Sequence, residues 1–468
     1  MTTALSAEMR VVLWAIAVEG DSGGAADGDG SAQRGGAHGE GAQGGAHGGA
    51  RGLPGDRAAI SWPRVTQLAI QHGVLPIVYK HLKRQQAIEV PPDVLNKHRE
   101  LYLMNLGHNV RATKKLLDML DLLSGHGFEA VPFKGPVVAV QAFGDIGMRG
   151  FCDLDLLIRN EDFAGIYDLL ESRGYTSLKP RIGRMKSVWK ASRRDVEFRG
   201  NGCVFDLHQQ VTQGPRFLGL KHEREGLAEV ELESQKAPSL NITDTILMLA
   251  LHGTHHGWSI LKMTADLAHV VHRNRTEIDW DALIDKARRM GCLRMVLIGL
   301  LLSREFCGLE IPREVEECVG KDRRAVKLAG YFRGKTLESQ KSGLIPVWAL
   351  PRSLDSPYHK ARYMAHFIFH PTDLDVLAVR LPAFLYPLYY LVRPVRLAMN
   401  AVGGAVEAVR AKREARAARK AKAGLGVREA KKEGRGDARK ESAVIGEKES
   451  KEMQRESGAK VKSRTIGV

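Results

Sequence analysis

Asp153 and Asp155 stand two positions apart in FCDLDLLI, a run whose alternation predicts a strand. Side chains alternate faces along a strand, so both carboxylates leave on the same side. Two anions on one face repel unless they share a cation. Mg²⁺ (or Mn²⁺) is the hard, oxygen-loving ion that fills this role beside phosphate substrates. A third carboxylate, Asp206, lies in VFDLH on a second predicted strand, flanked by Phe205 and Leu207. His208, two positions on, is counted with the cleft. D-x-D pairs also occur in strands and loops without chemistry; the second carboxylate-bearing strand is what favours the functional reading.

Upstream, Phe133-Lys134-Gly135 closes a short β-like run, FEAVPFKG, and opens a helix. Backbone N–H groups at a helix start, with glycine allowing close approach, make an anion site suited to triphosphate oxygens. Lys134 adds a point charge there. A plain strand-to-helix turn is the competing reading, and Lys-Gly-Pro satisfies it. Arg149, just before the acidic strand, offers a guanidinium for phosphate, with a solvated arginine as the alternative.

These residues need elements to hold them. Residues 1–18 read as a helix with Ser6 as N-cap. Residues 19–57 are a Gly-rich, low-complexity insertion in which GGAHG occurs twice. Helical periodicity fills 58–127, where Leu95, Leu101, Leu103, Leu106, Leu116, Leu117, Leu120 and Leu123 recur at three- and four-residue steps. The span 128–235 reads as a small α/β core. Its parts are the strand before Gly135, a helix over PVVAVQAFGDIG running into Gly144 and Gly147, the acidic strand, a helix capped by Asn160, and two strands joined by Asn201-Gly202, a hairpin signal. Residues 236–330 are helical again, 331–409 are helical with a Pro-aromatic stretch, and 410–468 are basic. The fold class expected is α+β: a small mixed-sheet core embedded between N-terminal and C-terminal helical regions.

The stretch PFKGPVVAVQAFGDIGMRGFCDLDLLIRNEDFAGIYDLLESRGY, followed by VEFRGNGCVFDLHQQV, resembles the uncharacterised nucleotidyltransferase family of the DNA polymerase beta-like superfamily. The resemblance covers roughly residues 58–310, with the specific motifs confined to 131–211. It implies that Lys134 and Gly135 form the phosphate-side turn, Asp153 and Asp155 the metal pair, and Asp206 the third carboxylate. It also implies the reaction: transfer of a nucleoside monophosphate from an NTP to an acceptor hydroxyl, with pyrophosphate released. The acceptor is open between a protein, a nucleic acid, a sugar and a small molecule. Two departures stand out. Pro136 replaces a small Gly or Ser, and 18 positions separate Gly135 from Asp153.

Two rival readings remain. His252 and His256 are four apart on a predicted helix and share a face, the geometry a metal-dependent phosphohydrolase could use. Helical histidines more often cap, pack or line a groove, and Trp258 and Trp189 are read as core. The other rival keeps the fold but binds nucleotide or a partner without turnover.

Bulk composition adds exclusions. The 468 residues carry a formal net charge of +16, and 44% are hydrophobic, which excludes wholesale disorder. From Arg410 onward there are 19 Lys+Arg against 9 Asp+Glu, a net of +10, so the rest carries +6. That tail lacks aromatic residues and is expected to be disordered. It is read as solvated, with a weak contact to RNA or anionic lipid as the functional alternative. Five Cys without a CxxC pair point to the reducing cytoplasm, with peripheral membrane contact left open. No signal peptide or membrane span is expected, since the longest apolar run, Leu381–Val392, is short and broken by Pro382 and Pro387.

Overall fold

The computed structural model describes residues 5–18, 60–177, 195–211, 218, 220, 226–338, 348–400, 407, 413 and 414. The Gly-rich insertion, Trp189 and the basic tail (Arg413 and Glu414 apart) lie outside the described residues. Contacts divide the chain into Met1–Tyr390 and Leu391–Val468. In the second unit, residues 391–400 are helical, with Leu391, Val395 and Met399 exposed.

The first unit opens with α1 (Ala7–Ala15), where the Ser6 hydroxyl accepts the Met9 N–H at 3.2 Å. The next periodic run is two helices, α2 (Trp62–Gln71) and α3 (Leu75–Arg84), followed by the 34-residue α4 (Pro92–Gly125). Then comes the core: β1 (Ala130–Pro132), α5 (Pro136–Phe143), β2 (Leu154–Ile158), α6 (Phe163–Ser172), β3 (Thr176–Ser177), β4 (Val196–Gly200) and β5 (Cys203–His208). These strands form one mixed sheet in the order β1-β2-β5-β4-β3. The β2–β5 pair is parallel and the other pairs are antiparallel. Asn201 and Gly202 both take positive φ, 51° and 66°, which a tight turn between two twisted strands requires.

One local expectation fails. The N-cap of α6 is Asp162 rather than Asn160, and neither side chain caps the helix. Asp162 instead accepts Arg159 Nε at 2.7 Å, so the ion pair fixes the turn that leads into the helix.

Alternation sorts the sheet. Leu154, Leu156, Phe198, Phe205 and Leu207 are buried on one face, where Tyr167 of α6 meets Phe198 edge-on at 5.1 Å between ring centroids. The carboxylates take the other face. A separate hairpin, β6 (Leu227–Leu232) and β7 (Gln235–Leu240), precedes the helices α7 (Ile242–His255), α8 (Leu261–Arg273), α9 (Trp280–Met290) and α10 (Leu293–Cys307). α8 packs on both α5 and α10. Trp258 is fully buried between α7 and α8, as its core reading expects. Among the described residues no helix is long and apolar enough to cross a membrane.

Candidate active site

Parallel pairing of β2 with β5 puts Asp155 directly opposite Asp206 and Leu157 opposite His208. Because the side-chain period is two, Asp155, Asp206 and His208 share a face. Donor atoms of these three lie within 4.8 Å of one another. Asp153 stands exposed one residue before β2, outside that close group, near enough for its charge to act on Asp206.

The charges are not treated alike. Asp155 is buried, and its Oδ1 accepts both Lys134 Nζ at 2.8 Å and His208 Nε2 at 2.9 Å. Burial alone would raise this carboxyl. The Lys134 charge and the His208 hydrogen bond override it and hold Asp155 far below the usual carboxylate range. His208 also faces Asp195, with Nδ1 2.8 Å from Oδ1. Burial disfavours an imidazolium, but carboxylates on both ring nitrogens raise His208 to about 9, so it is charged at neutral pH. Asp206 goes the other way. Burial first, then Asp155, Asp153 and Glu197, push it up to about 6 against the opposing pull of His208. Neither Asp153 nor Asp206 has an ion-pair partner among the described residues. The site therefore holds one neutralised carboxylate and two that are not.

Gly135 is the N-cap of α5, at φ 54° and ψ −124°, a conformation closed to other residues without strain. Pro136 follows at N1, where a missing N–H costs the helix nothing. A Cβ built on Gly135 would lie 3.6 Å from the Asp153 carbonyl oxygen, so the turn abuts the start of the acidic strand.

Arg149 does not face solvent. Its Nε donates to Asp266 Oδ2 at 2.9 Å, both groups being buried, and its Nη1 reaches the Gly135 carbonyl at 3.4 Å. Asn109 of α4 holds the same loop by donating to the carbonyls of Ile146 and Arg149, at 2.6 and 2.8 Å. The guanidinium is thus a brace between α8 and the glycine turn. His252 and His256 pack with ring centroids 4.4 Å apart. Burial lowers both below the ordinary histidine range, reinforced by the Lys134 charge at His252 and by His255 and then Lys134 at His256.

Three contributors escape a reading of motifs. Asp195 is one; the Asn201-Gly202 turn could have found it, since the hairpin register carries on from Val196–Leu207 to Asp195 and His208. Lys262 and Asp266 are the others, four apart on one face of α8. Lys262 Nζ donates to the Gly150 carbonyl. Burial and the nearby Arg149 charge lower it to about 8, against Asp266 and Asp153.

Comparison with known proteins bears on this arrangement. No curated protein and no solved structure matches the chain. A family model described as "Uncharacterised nucleotidyltransferase" matches residues 58–308, more than half of the sequence. That span runs from α2 to the end of α10 and takes in both the carboxylate strands and the α8 brace. A transferase sheet, a glycine turn and helices that clamp it therefore fall within one matched region, and the chain belongs to the uncharacterised nucleotidyltransferase family.

Proposed function

We propose that the chain transfers a nucleoside monophosphate from an NTP to an acceptor hydroxyl and releases pyrophosphate, using Mg²⁺ or Mn²⁺. The observation that carries this reading is the pairing of Asp155 with Asp206 on adjacent parallel strands beside the Gly135 turn. Asp206 supplies carboxylate oxygen within reach of Asp155, and exposed Asp153 adds another one residue before β2, the hard donors such an ion prefers. When bound, the ion would supply Lewis-acid polarisation and neutralise charge on the reacting phosphates. Asp153, Asp155 and Asp206 would hold it. Lys134 and the N–H groups that open α5 would take the β- and γ-phosphates. Lys134 can do so without leaving Asp155, since an ammonium has three donors. Asp206, with its raised affinity for a proton, is the group suited to receive the acceptor's proton. Arg149 would act through Gly135, as a positioning residue.

A protein that binds nucleotide without turnover is the second reading. It is favoured by the double occupation of Asp155 Oδ1 by Lys134 and His208, which already neutralises one carboxylate. One experiment separates the two. The full chain is incubated with each of the four α-labelled NTPs and Mg²⁺ or Mn²⁺, and label transfer and pyrophosphate are scored. Transfer that disappears in Asp153→Asn and Asp155→Asn supports the enzyme. Metal-dependent NTP binding without pyrophosphate supports the silent protein, and turnover untouched by both substitutions sinks the site.

A further inference from the structure

A pocket of about 340 Å³ opens between α4 and the β4–β5 hairpin, at one end of the acidic face. Cys152, the neighbour of Asp153, lines it, as do Val204 and Arg199. Val204 and Arg199 are register partners, two rungs from the Asp206–Glu197 pair. Two residues along a strand is about 7 Å, with the side chains on the same face. The pocket thus begins where the carboxylates end.

Its lining is one-sided in charge. Arg111, Lys115 and Arg199 contribute cations to it, His108 an imidazole, and no carboxylate lines it. Lys115 braces the hairpin by donating to the carbonyls of Asn201 and Gly202, at 2.6 and 3.0 Å. Arg199 leans on Glu197 at 3.0 Å. Arg111 is exposed and has no ion-pair partner among the described residues. Phe151 and Leu154 give the pocket an apolar wall. Cations placed beside uncompensated aspartates offset the repulsion that an anionic molecule would meet on approaching them. An arginine fork with an apolar wall is the lining that a phosphate ester on a carbon skeleton requires.

Resting on the nucleotidyl-transfer reading, we infer that this pocket is the acceptor subsite and that the acceptor is an alcohol carrying a phosphate group. Arg111 and Arg199 hold the phosphate, and the free hydroxyl points along the sheet toward Asp206. The hydroxyl oxygen forms a bond to the α-phosphorus of the NTP. The bond from that phosphorus to the α,β-bridging oxygen breaks, pyrophosphate leaves with the electron pair, and the hydroxyl proton passes to Asp206.

Cys152 provides a reporter that does not depend on turnover. It is exposed, whereas Cys203 is half-buried with its thiol raised by burial, and Cys292, Cys307 and Cys318 are buried. The rate of Cys152 alkylation by iodoacetamide in the full chain is followed by peptide mass spectrometry. The probes are ribose 5-phosphate and a 5′-phosphorylated ribodinucleotide, each beside its unphosphorylated counterpart. The phosphorylated probes should slow alkylation about tenfold at saturation, the counterparts should not, and Arg111→Glu and Arg199→Gln should each abolish the protection. Which of the two protects tells a small phosphate ester from a nucleic-acid end. Equal effects of phosphorylated and unphosphorylated probes, no protection by either, or equal protection by an NTP alone would overturn the acceptor assignment. Failure of the transfer reading is seen separately, as absence of pyrophosphate release when a protecting probe and an NTP are present together.

Discussion

Asp206 is a carboxylate that the folded chain keeps at a cost, and this gives it opposite effects on stability and chemistry. Its folded value of about 6 lies above the ordinary aspartate range, so the charged form is disfavoured by folding. The Asp206 contribution to stability should rise as pH falls through 6 and be least favourable above it. Asp206→Asn should therefore stabilise the protein at pH 7.5, on the order of 1–2 kcal/mol after allowing for partial solvent screening, while abolishing label transfer. Denaturant midpoints and the NTP assay check both halves; an Asn variant less stable than the parent contradicts the charge reading. His72 gives a contrasting acid effect. It is fully buried, it accepts the Leu261 N–H at the start of α8, and burial lowers it to about 4. Above its ordinary value of 6.5 it is neutral both folded and unfolded and contributes nothing. Between 6.5 and 4 only the unfolded chain takes the proton, so stability is lost as pH falls through that window. The stability of the parent relative to His72→Gln should fall by up to about 3 kcal/mol between pH 7 and 4, read from paired urea titrations.

The element that organises the site is α8, a helix outside the sheet. Asp266 and Lys262, one turn apart, hold Arg149 and the Gly150 carbonyl, and through Arg149 the carbonyl of Gly135. Removing one member of a buried ion pair strands its partner, so Asp266→Asn and Arg149→Met should each cost about 3–5 kcal/mol. The double variant Arg149→Met/Asp266→Leu should recover most of that stability but not NTP affinity, because the glycine turn has lost its brace. A double-mutant cycle on unfolding, run beside nucleotide binding, tests this; additive losses would mean the pair is not coupled. Gly135→Ala addresses the turn itself. A methyl group has room, with the nearest atoms at 3.6 Å, so the penalty is the backbone conformation, about 1–3 kcal/mol. NTP affinity should fall while the cooperative unfolding transition survives, as calorimetry and nucleotide titration would report. Much at this scale was legible in the chain. The two carboxylate strands, the Lys-Gly turn into a helix and the Asn201-Gly202 hairpin all follow from neighbouring residues. The entry to α6 was not legible, because Arg159 draws the Asp162 carboxylate away from a capping role that composition alone leaves open.

For the molecule as a whole, the net charge of +16 invites a nucleic-acid reading, yet +10 of it belongs to residues 410–468. Deleting that tail should leave label transfer unchanged, assayed with the same four NTPs; loss of transfer would mean that the tail belongs to the catalytic machinery. Within the body, one hydrophobic core runs from α1 to α10 and takes in Val131 and Leu157 of the sheet, the strands that border the site. What the sequence determined by itself was that Asp155 and Asp206 sit on alternating strands and that a Lys-Gly turn leads from a strand into a helix. Strand alternation and turn chemistry are local, decided by backbone geometry over a few residues. What only the tertiary structure decided was which charges are cancelled. Asp155 is neutralised by Lys134 and His208, His208 is held charged by Asp195 and Asp155, and Arg149 is drawn inward by Asp266. Those outcomes depend on distances between residues remote in the chain and on burial that strengthens each charge–charge contact, neither of which a linear pattern contains.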